Sequence, residues 1–200
     1  MKRFQFAAGV AAGIVPFLAA CASVTVDSTW RDPTYEGPPF KKVMVIAWVD
    51  RPSVRRTVED IFVNALTSRG VSAVASYTLI PNAQEVKRAA VADAAKRSGV
   101  DSVLVNRLQG VVTEVQNEEV QTFVTPDPAD VFLDSPIVGT SIPVEMTSRV
   151  AFLMSNLFDA RTAKMVWWGR MDASATNRAA DLARGMSGTV ISELRSAKLL

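Results

Sequence analysis

Between residues 43 and 105, short apolar blocks alternate with amphipathic stretches, and this constrains the fold more than anything else in the chain. Val43-Met-Val-Ile-Ala-Trp-Val49 is continuously apolar, rich in β-branched residues and bounded sharply by Asp50. That is the pattern of a strand buried on both faces. Pro52-Ser53 then opens a helix through Arg69, in which Val54, Val58, Ile61, Phe62, Ala65 and Leu66 recur at three- and four-residue steps. Gly70 closes it as a C-terminal cap. Val71 to Ser76 reads as a second short strand. An alanine-rich helix over 83–98 follows, stopped by Gly99, and Ser102-Val-Leu-Val105 is a third buried run. Strand–helix–strand–helix–strand at this spacing requires parallel strands joined by right-handed crossovers.

The second half changes character. Val103 to Val124 stays strand-like but grows polar after Asn106, so the third strand is expected to run out into a half-exposed extension. Thr125 to Pro143 carries four prolines and a glycine and reads as a long loop. Met146 to Phe158 alternates apolar and polar residues, Asp159 to Lys164 is a turn, and Met165 to Ala175 returns as the partner strand. A final helix spans 178–197, with Leu182, Met186, Val190 and Leu194 in register. The fold class is therefore α/β, a single domain over 42–200. Its mixed sheet has the order βαβαβ–loop–ββα, with three parallel strands plus an antiparallel hairpin.

The first residues carry an address. Lys2 and Arg3 precede an apolar run from Phe4 to Ala20 that is short for a spanning helix, which needs roughly 20 residues, and fits a signal segment. It ends in Leu18-Ala19-Ala20-Cys21, small residues leading into the only cysteine of the chain. This pattern resembles a bacterial lipobox. The resemblance implies a signal peptide over 1–20 cut between Ala20 and Cys21, acylation of the Cys21 thiol (palmitate among the chains) and acylation of the new amino terminus. Two or more acyl chains make a stable anchor. By analogy with other bacterial lipoproteins, Ala22 after the cysteine favours the outer membrane, with the domain facing the periplasm.

Composition now reads differently. The 200-residue chain has 22 basic and 20 acidic residues, but cleavage removes Lys2 and Arg3 and no acid, so the mature side chains balance. A neutral chain in that compartment gives no reason to expect nucleic acid as a partner. With no histidine, imidazole acid–base chemistry and histidine-based zinc motifs are excluded. With Cys21 consumed as a thioether, disulfides are excluded as well.

Residues 21–41 are expected to form the lipidated amino terminus and an aromatic tether. Trp30, Tyr35 and Phe40 would lie as plugs across the domain surface, or present a strip to a partner. A second apolar group, Val131-Phe132-Leu133, sits inside the proline-rich 125–143 segment. Long loops of this kind tend to be functional or disordered; this one would fold back over the sheet, the plainer reading, or serve as a lid that contacts a partner or the membrane. Trp167 and Trp168 must point to opposite faces of their strand, one into the core and one outward. Trp30, Tyr35, Val131, Phe132, Leu133 and Trp168 are thus the candidate partner contacts.

The candidate crevice lies where the parallel strands end, since open α/β sheets bind ligands there. It gathers Asp50, Arg51, Ser53, Tyr77 and Arg107, with Asn106 and Ser76 beside them. Asp50-Arg51-Pro52-Ser53 precedes a helix, where a cap by Ser53 or Asp50 is the plainer reading and an anion site the sharper one. Val49 to Arg56 has no glycine, so no loop here can wrap a pyrophosphate. Arg55–Glu59 and Arg56–Asp60 are spaced i,i+4 and are expected on a solvated face. Asp127, Asp130 and Asp134 lack the glycine and terminal glutamate of a calcium loop. No catalytic residue, metal site or cofactor is expected.

Several short patterns carry a family resemblance. Trp30-x-x-Pro33-x-Tyr35-x-Gly37-Pro38-Pro39-Phe40-Lys41-Lys42 leads into a hydrophobic strand, and Ala75-Ser76-Tyr77 precedes Ile80-Pro81. Asp101-x-Val103-Leu104-Val105 follows, and then Leu157-x-Asp159-Ala160-x-Thr162 runs into Val166-Trp167. Together they resemble a group of uncharacterised bacterial lipoproteins. Ala163 departs from that pattern, standing where related hairpins carry a left-handed glycine. If that conformation holds, alanine costs about 1 kcal/mol there. The element order is more loosely similar to the curli secretion lipoprotein, the amino-terminal TolB domain and the lipoprotein activators of peptidoglycan synthases. The expectation is a lipid-anchored envelope protein acting as a non-catalytic interaction or assembly module. The alternative is a periplasmic domain that binds a small ligand in the strand-end crevice.

Overall fold

The computed structural model describes residues 23–123, 139–174 and 178–200, those between 114 and 149 as backbone only. Among the described residues, one six-stranded mixed sheet carries three helices. In chain order the elements are β1 (Val24–Arg31), β2 (Lys42–Ala47), α1 (Pro52–Thr67), β3 (Ser72–Ala75), α2 (Arg88–Ser98), β4 (Ser102–Phe123), β5 (Gly139–Asp159), β6 (Met165–Ser174) and α3 (Ala179–Ser196). The strand order is β1-β6-β5-β4-β2-β3. β2 pairs in parallel with both β3 and β4, and the remaining pairs are antiparallel. The expected α/β class, the parallel trio and the hairpin are all present.

Why each layer sits where it does follows from the alternation of the strands. Val43 and Val45 of β2, Leu104 of β4, Leu153 and Leu157 of β5 and Trp167 and Met171 of β6 share one face with α1 and α3. Met44, Ile46 and Val103 point to the other face and meet α2 through Ala94 and Ala95. The second cluster reaches no farther along the sheet than Phe158 of β5. Along β6 burial alternates strictly, Val166 and Trp167 aside, with Gly169, Met171 and Ala173 buried and Trp168, Arg170 and Asp172 less so.

Three differences from expectation have physical causes. Residues 24–31 are no tether: they form β1, an edge strand laid antiparallel on β6, because pairing with Val24↔Ala173 through Arg31↔Trp167 satisfies backbone groups that a surface strap leaves open. Phe40 is buried and Tyr35 stacks on it at 5.4 Å, whereas Trp30 stays on the surface at 38% exposure. Residues 139–143, read as loop because of Pro136, Gly139 and Pro143, are strand. Pro143 lies opposite Glu119 in a segment of β5 paired only to β4, where a missing N–H breaks no second ladder. Finally, 83–85 is a separate 3₁₀ turn and α2 begins only at Arg88.

β4 and β5 outrun the rest of the sheet. The last β5–β6 pair is Val150↔Ser174, yet β4 and β5 remain paired from Thr113↔Arg149 to Phe123↔Gly139. Eleven residues per strand at about 3.3 Å each make a two-stranded arm roughly 35 Å long. The registers place its root in the row Val111–Ala151–Ala173–Val24, so the arm leaves from the same end of the sheet at which β1 begins.

Candidate functional site

The carboxyl end of β2 and the adjoining stretch of β4, Asn106 to Leu108, open between the starts of α1 and α3. A cavity of about 330 Å³ there is lined by Asp50, Arg51, Val54, Asn106, Arg107 and Met186, among others. Asp50, Arg51 and Arg107 therefore do come together. The Arg107 guanidinium, however, reaches across to Met154 Sδ at 3.5 Å. Ser53 and Tyr77 do not join them. The Ser53 carbonyl accepts from Thr57 Oγ1. The Tyr77 hydroxyl donates to Asp60 Oδ1 at 2.8 Å, with the Arg56 guanidinium 5.5 Å over its ring. That hydrogen bond, helped by burial and the Asp60 charge, pushes the Tyr77 hydroxyl above the ordinary tyrosine range.

Neither Ser53 nor Asp50 caps α1. Arg51 is the N-cap residue, it makes no side-chain cap hydrogen bond, and Pro52 occupies the first turn. A proline at that position has no N–H to satisfy, which removes one of the reasons for a capping side chain.

The Arg55–Glu59 pair is the largest departure from expectation. It is wholly interior, Arg55 at 2% and Glu59 at 0% exposure. Glu59 Oε1 accepts from Arg55 Nε at 2.9 Å, Ser76 Oγ at 2.8 Å and the Ala47 amide at 3.0 Å, while Oε2 accepts from the Tyr77 amide at 2.8 Å. Arg55 Nη2 in turn donates to Ser76 Oγ at 2.8 Å. One carboxylate thus ties α1 to the end of β2 and to the turn after β3. A buried charge is tolerated only when paired and hydrogen-bonded in this way.

On the sheet face that α2 leaves uncovered, the candidate contacts Trp30 and Trp168 lie directly opposite each other across the β1–β6 ladder. Val112, with Leu108 and Val111, stands exposed at the root of the arm. Arg170, one position from Trp168 in the same phase, pairs with Asp27 of β1 at 2.8 Å. Cys21, Ala20, Val131, Phe132 and Leu133 lie outside the described residues. At the opposite end of the strands, a broader groove of about 870 Å³ runs between the 32–40 segment and α2 and includes Tyr35. Asp32 at its edge is held below the usual carboxylate range by hydrogen bonds from the Thr34 hydroxyl and amide. Among the described residues no helix is long and apolar enough to cross a membrane.

No family model matches the chain, and no curated protein matches it in sequence. Among solved structures it is similar to the PelC dodecamer protein of Paraburkholderia phytofirmans, with 15% identity, a TM-score of 0.47 and coverage of 86% of this chain and 97% of that one. It is similar also to the lipoprotein GNA1162 of Neisseria meningitidis, with 12% identity, a TM-score of 0.41 and coverage of 78% and 96%. A PDZ domain protein of Parabacteroides distasonis shows 12% identity and a TM-score of 0.41, over 88% of this chain and 35% of that one. These are distant likenesses of shape.

Proposed function

We propose that this chain is a lipid-anchored bacterial envelope protein that works by interaction and performs no catalysis, and that its partner grips the two-stranded arm. The arm carries the proposal. Among the described residues this arm has no third strand and no covering helix, and an isolated two-stranded hairpin is marginal in water, so an arm of eleven pairs calls for a surface to lie on. At its root Leu108 and Val111 are exposed on one face of the sheet, and Val112 is exposed on the other, the face that carries the Trp30–Trp168 pair. Aromatic pairs of that kind are typical anchors of protein interfaces. Attachment through acyl chains on Cys21 rests on the lipobox resemblance, and an outer-membrane, periplasm-facing position rests on Ala22.

The register supplies the test. Because Thr113 faces Arg149, a two-residue turn can join them and remove the arm while leaving the sheet intact. A photo-crosslinking residue at Val112 should give a discrete adduct in native envelopes, and the same residue at Arg69, at the far end of α1, should not. The armless variant should fold, stay in the membrane fraction and lose that adduct. Absence of an adduct from the intact chain, or an identical adduct from the armless one, refutes the proposal. Cys21→Ser should abolish acylation, and unchanged membrane attachment would refute the anchor separately.

A further inference from the structure

Two observations at the carboxyl end of β2 play no part in the arm reading. The first is an orphaned donor. Nε and Nη2 of Arg55 form one edge of the guanidinium and are engaged by Glu59 and Ser76. Nη1 lies on the opposite edge and has no hydrogen-bond partner, although Arg55 is 98% buried. A buried charged N–H left without a partner is among the more costly omissions a fold can carry. Arg55 lines a cavity of about 480 Å³, a neighbour of the crevice described above, with Trp48 and Asp50 on one wall and Gln84, Lys87 and Arg88 on the other.

The second is a charge placement that runs against helix electrostatics. Lys87 is the N-cap residue of α2 and Arg88 its first helical residue; the first turn holds no acid, and no side chain caps it. The amino end of a helix is its positive end, where cations are disfavoured and anions bind. α1 starts close by at Pro52, likewise without an acid in its first turn or a capping side chain. Against Lys87, Arg88 and Arg55 Nη1, Asp50 is the only carboxylate among the described residues lining this cavity.

We infer that this cavity binds a small tetrahedral dianion, inorganic phosphate or the phosphoryl group of a monoester. Its lining draws donor-bearing side chains from separate elements, Arg55 from α1 and Lys87 and Arg88 from the start of α2, with Arg55 Nη1 buried and unpartnered behind the surface. A tetrahedral oxyanion offers acceptors in all those directions, whereas a carboxylate offers them in one plane. The net positive lining matches the charge, and the absence of a glycine loop fits a single phosphoryl group better than a pyrophosphate. Trp48, 60% exposed on the cavity wall, is a built-in reporter.

The test titrates inorganic phosphate into the full chain at physiological ionic strength, following tryptophan fluorescence and, independently, heat. Saturable one-to-one binding at about 1 mM or tighter is expected, with sulfate competing and acetate not. Lys87→Gln with Arg88→Gln should weaken binding at least tenfold, since both side chains are on the surface and their removal leaves the Glu59 network untouched. Lys96→Gln with Arg97→Gln, the same change of charge at the other end of α2, should not. Absence of saturable binding, equal competition by acetate, or equal weakening by both double variants overturns the inference. Loss of the arm's crosslink leaves it standing, because the described residues that line this cavity include none from the arm.

Discussion

Replacing Glu59 by glutamine tests whether the buried carboxylate is the joint of the parallel half. The side chain keeps its shape and loses its charge. Glu59 now receives four donors, three on Oε1 and one on Oε2. A glutamine has one acceptor oxygen and one N–H₂ group, so in either orientation the N–H₂ meets a donor. At least one buried N–H or O–H is orphaned, at about 1–3 kcal/mol. Arg55, at 2% exposure, also loses its counter-charge. Breaking one side of a buried ion pair costs about 3–5 kcal/mol in total, a large share of the roughly 5–15 kcal/mol that holds such a domain folded. Arg55→Met breaks the same pair from the other side, but Glu59 keeps its bonds from Ala47, Ser76 and Tyr77, so its cost should fall at the lower end of the range for a broken pair, about 3 kcal/mol. Urea unfolding followed by circular dichroism measures both, with the slope against denaturant expected to stay constant. If Glu59→Gln lost less than about 1 kcal/mol, or no more than Arg55→Met, the reasoning would be refuted.

Two further outcomes follow from local geometry. Ala163 sits at φ +56° in the β5–β6 turn, held by its amide on the Asp159 carbonyl at 2.8 Å. Ala163→Gly should raise stability by about 0.5 kcal/mol, the relief of left-handed strain less the extra freedom glycine has when unfolded; a lower melting temperature would contradict this. For Tyr77, donation to Asp60 raises the folded-state value above the unfolded one. Its contribution is therefore complete below the unfolded value and disappears as pH rises through the folded one. The stability difference between wild type and Tyr77→Phe should be constant near neutrality and decline only above about pH 10. A decline beginning in the acid range would sink the assignment.

The parallel half was legible because a strand buried on both faces has to be apolar throughout, as Val43 to Ile46 are, and because Gly99 at φ +63° marks where α2 must stop. β1 was not. An edge strand needs few apolar residues, and in β1 Val24, Val26 and Trp30 stand among Asp27, Ser28 and Arg31 with a register shift between Val26 and Ser28, so neither alternation nor local polarity set it apart from a linker. The Arg55–Glu59 network was hidden by the rule that charged i,i+4 pairs face water. One signal was available: the buried line of α1 is 55, 59, 62 and 66, so extending Phe62 and Leu66 back by helical phase passes through both charged residues. Trp30 was read with the aromatic tether, and Trp168 as the outward member of the Trp167–Trp168 pair. The direct pairing of Trp30 with Trp168 is a property of register, which neither segment reveals alone.

The β1–β6 ladder also has a mechanical meaning. A pull applied at residue 23 acts along the axis of β1, parallel to the interface with β6, and so loads the pairs from Val24↔Ala173 to Arg31↔Trp167 together in shear rather than peeling them one by one. Behind them, Arg31 Nε holds the Ala197 carbonyl and the Phe40 amide holds that of Leu199, so the same tension is passed on to the end of the chain. Under the proposed acylation of Cys21, three residues upstream of Val24, that strand would be the hawser by which the domain rides at its mooring.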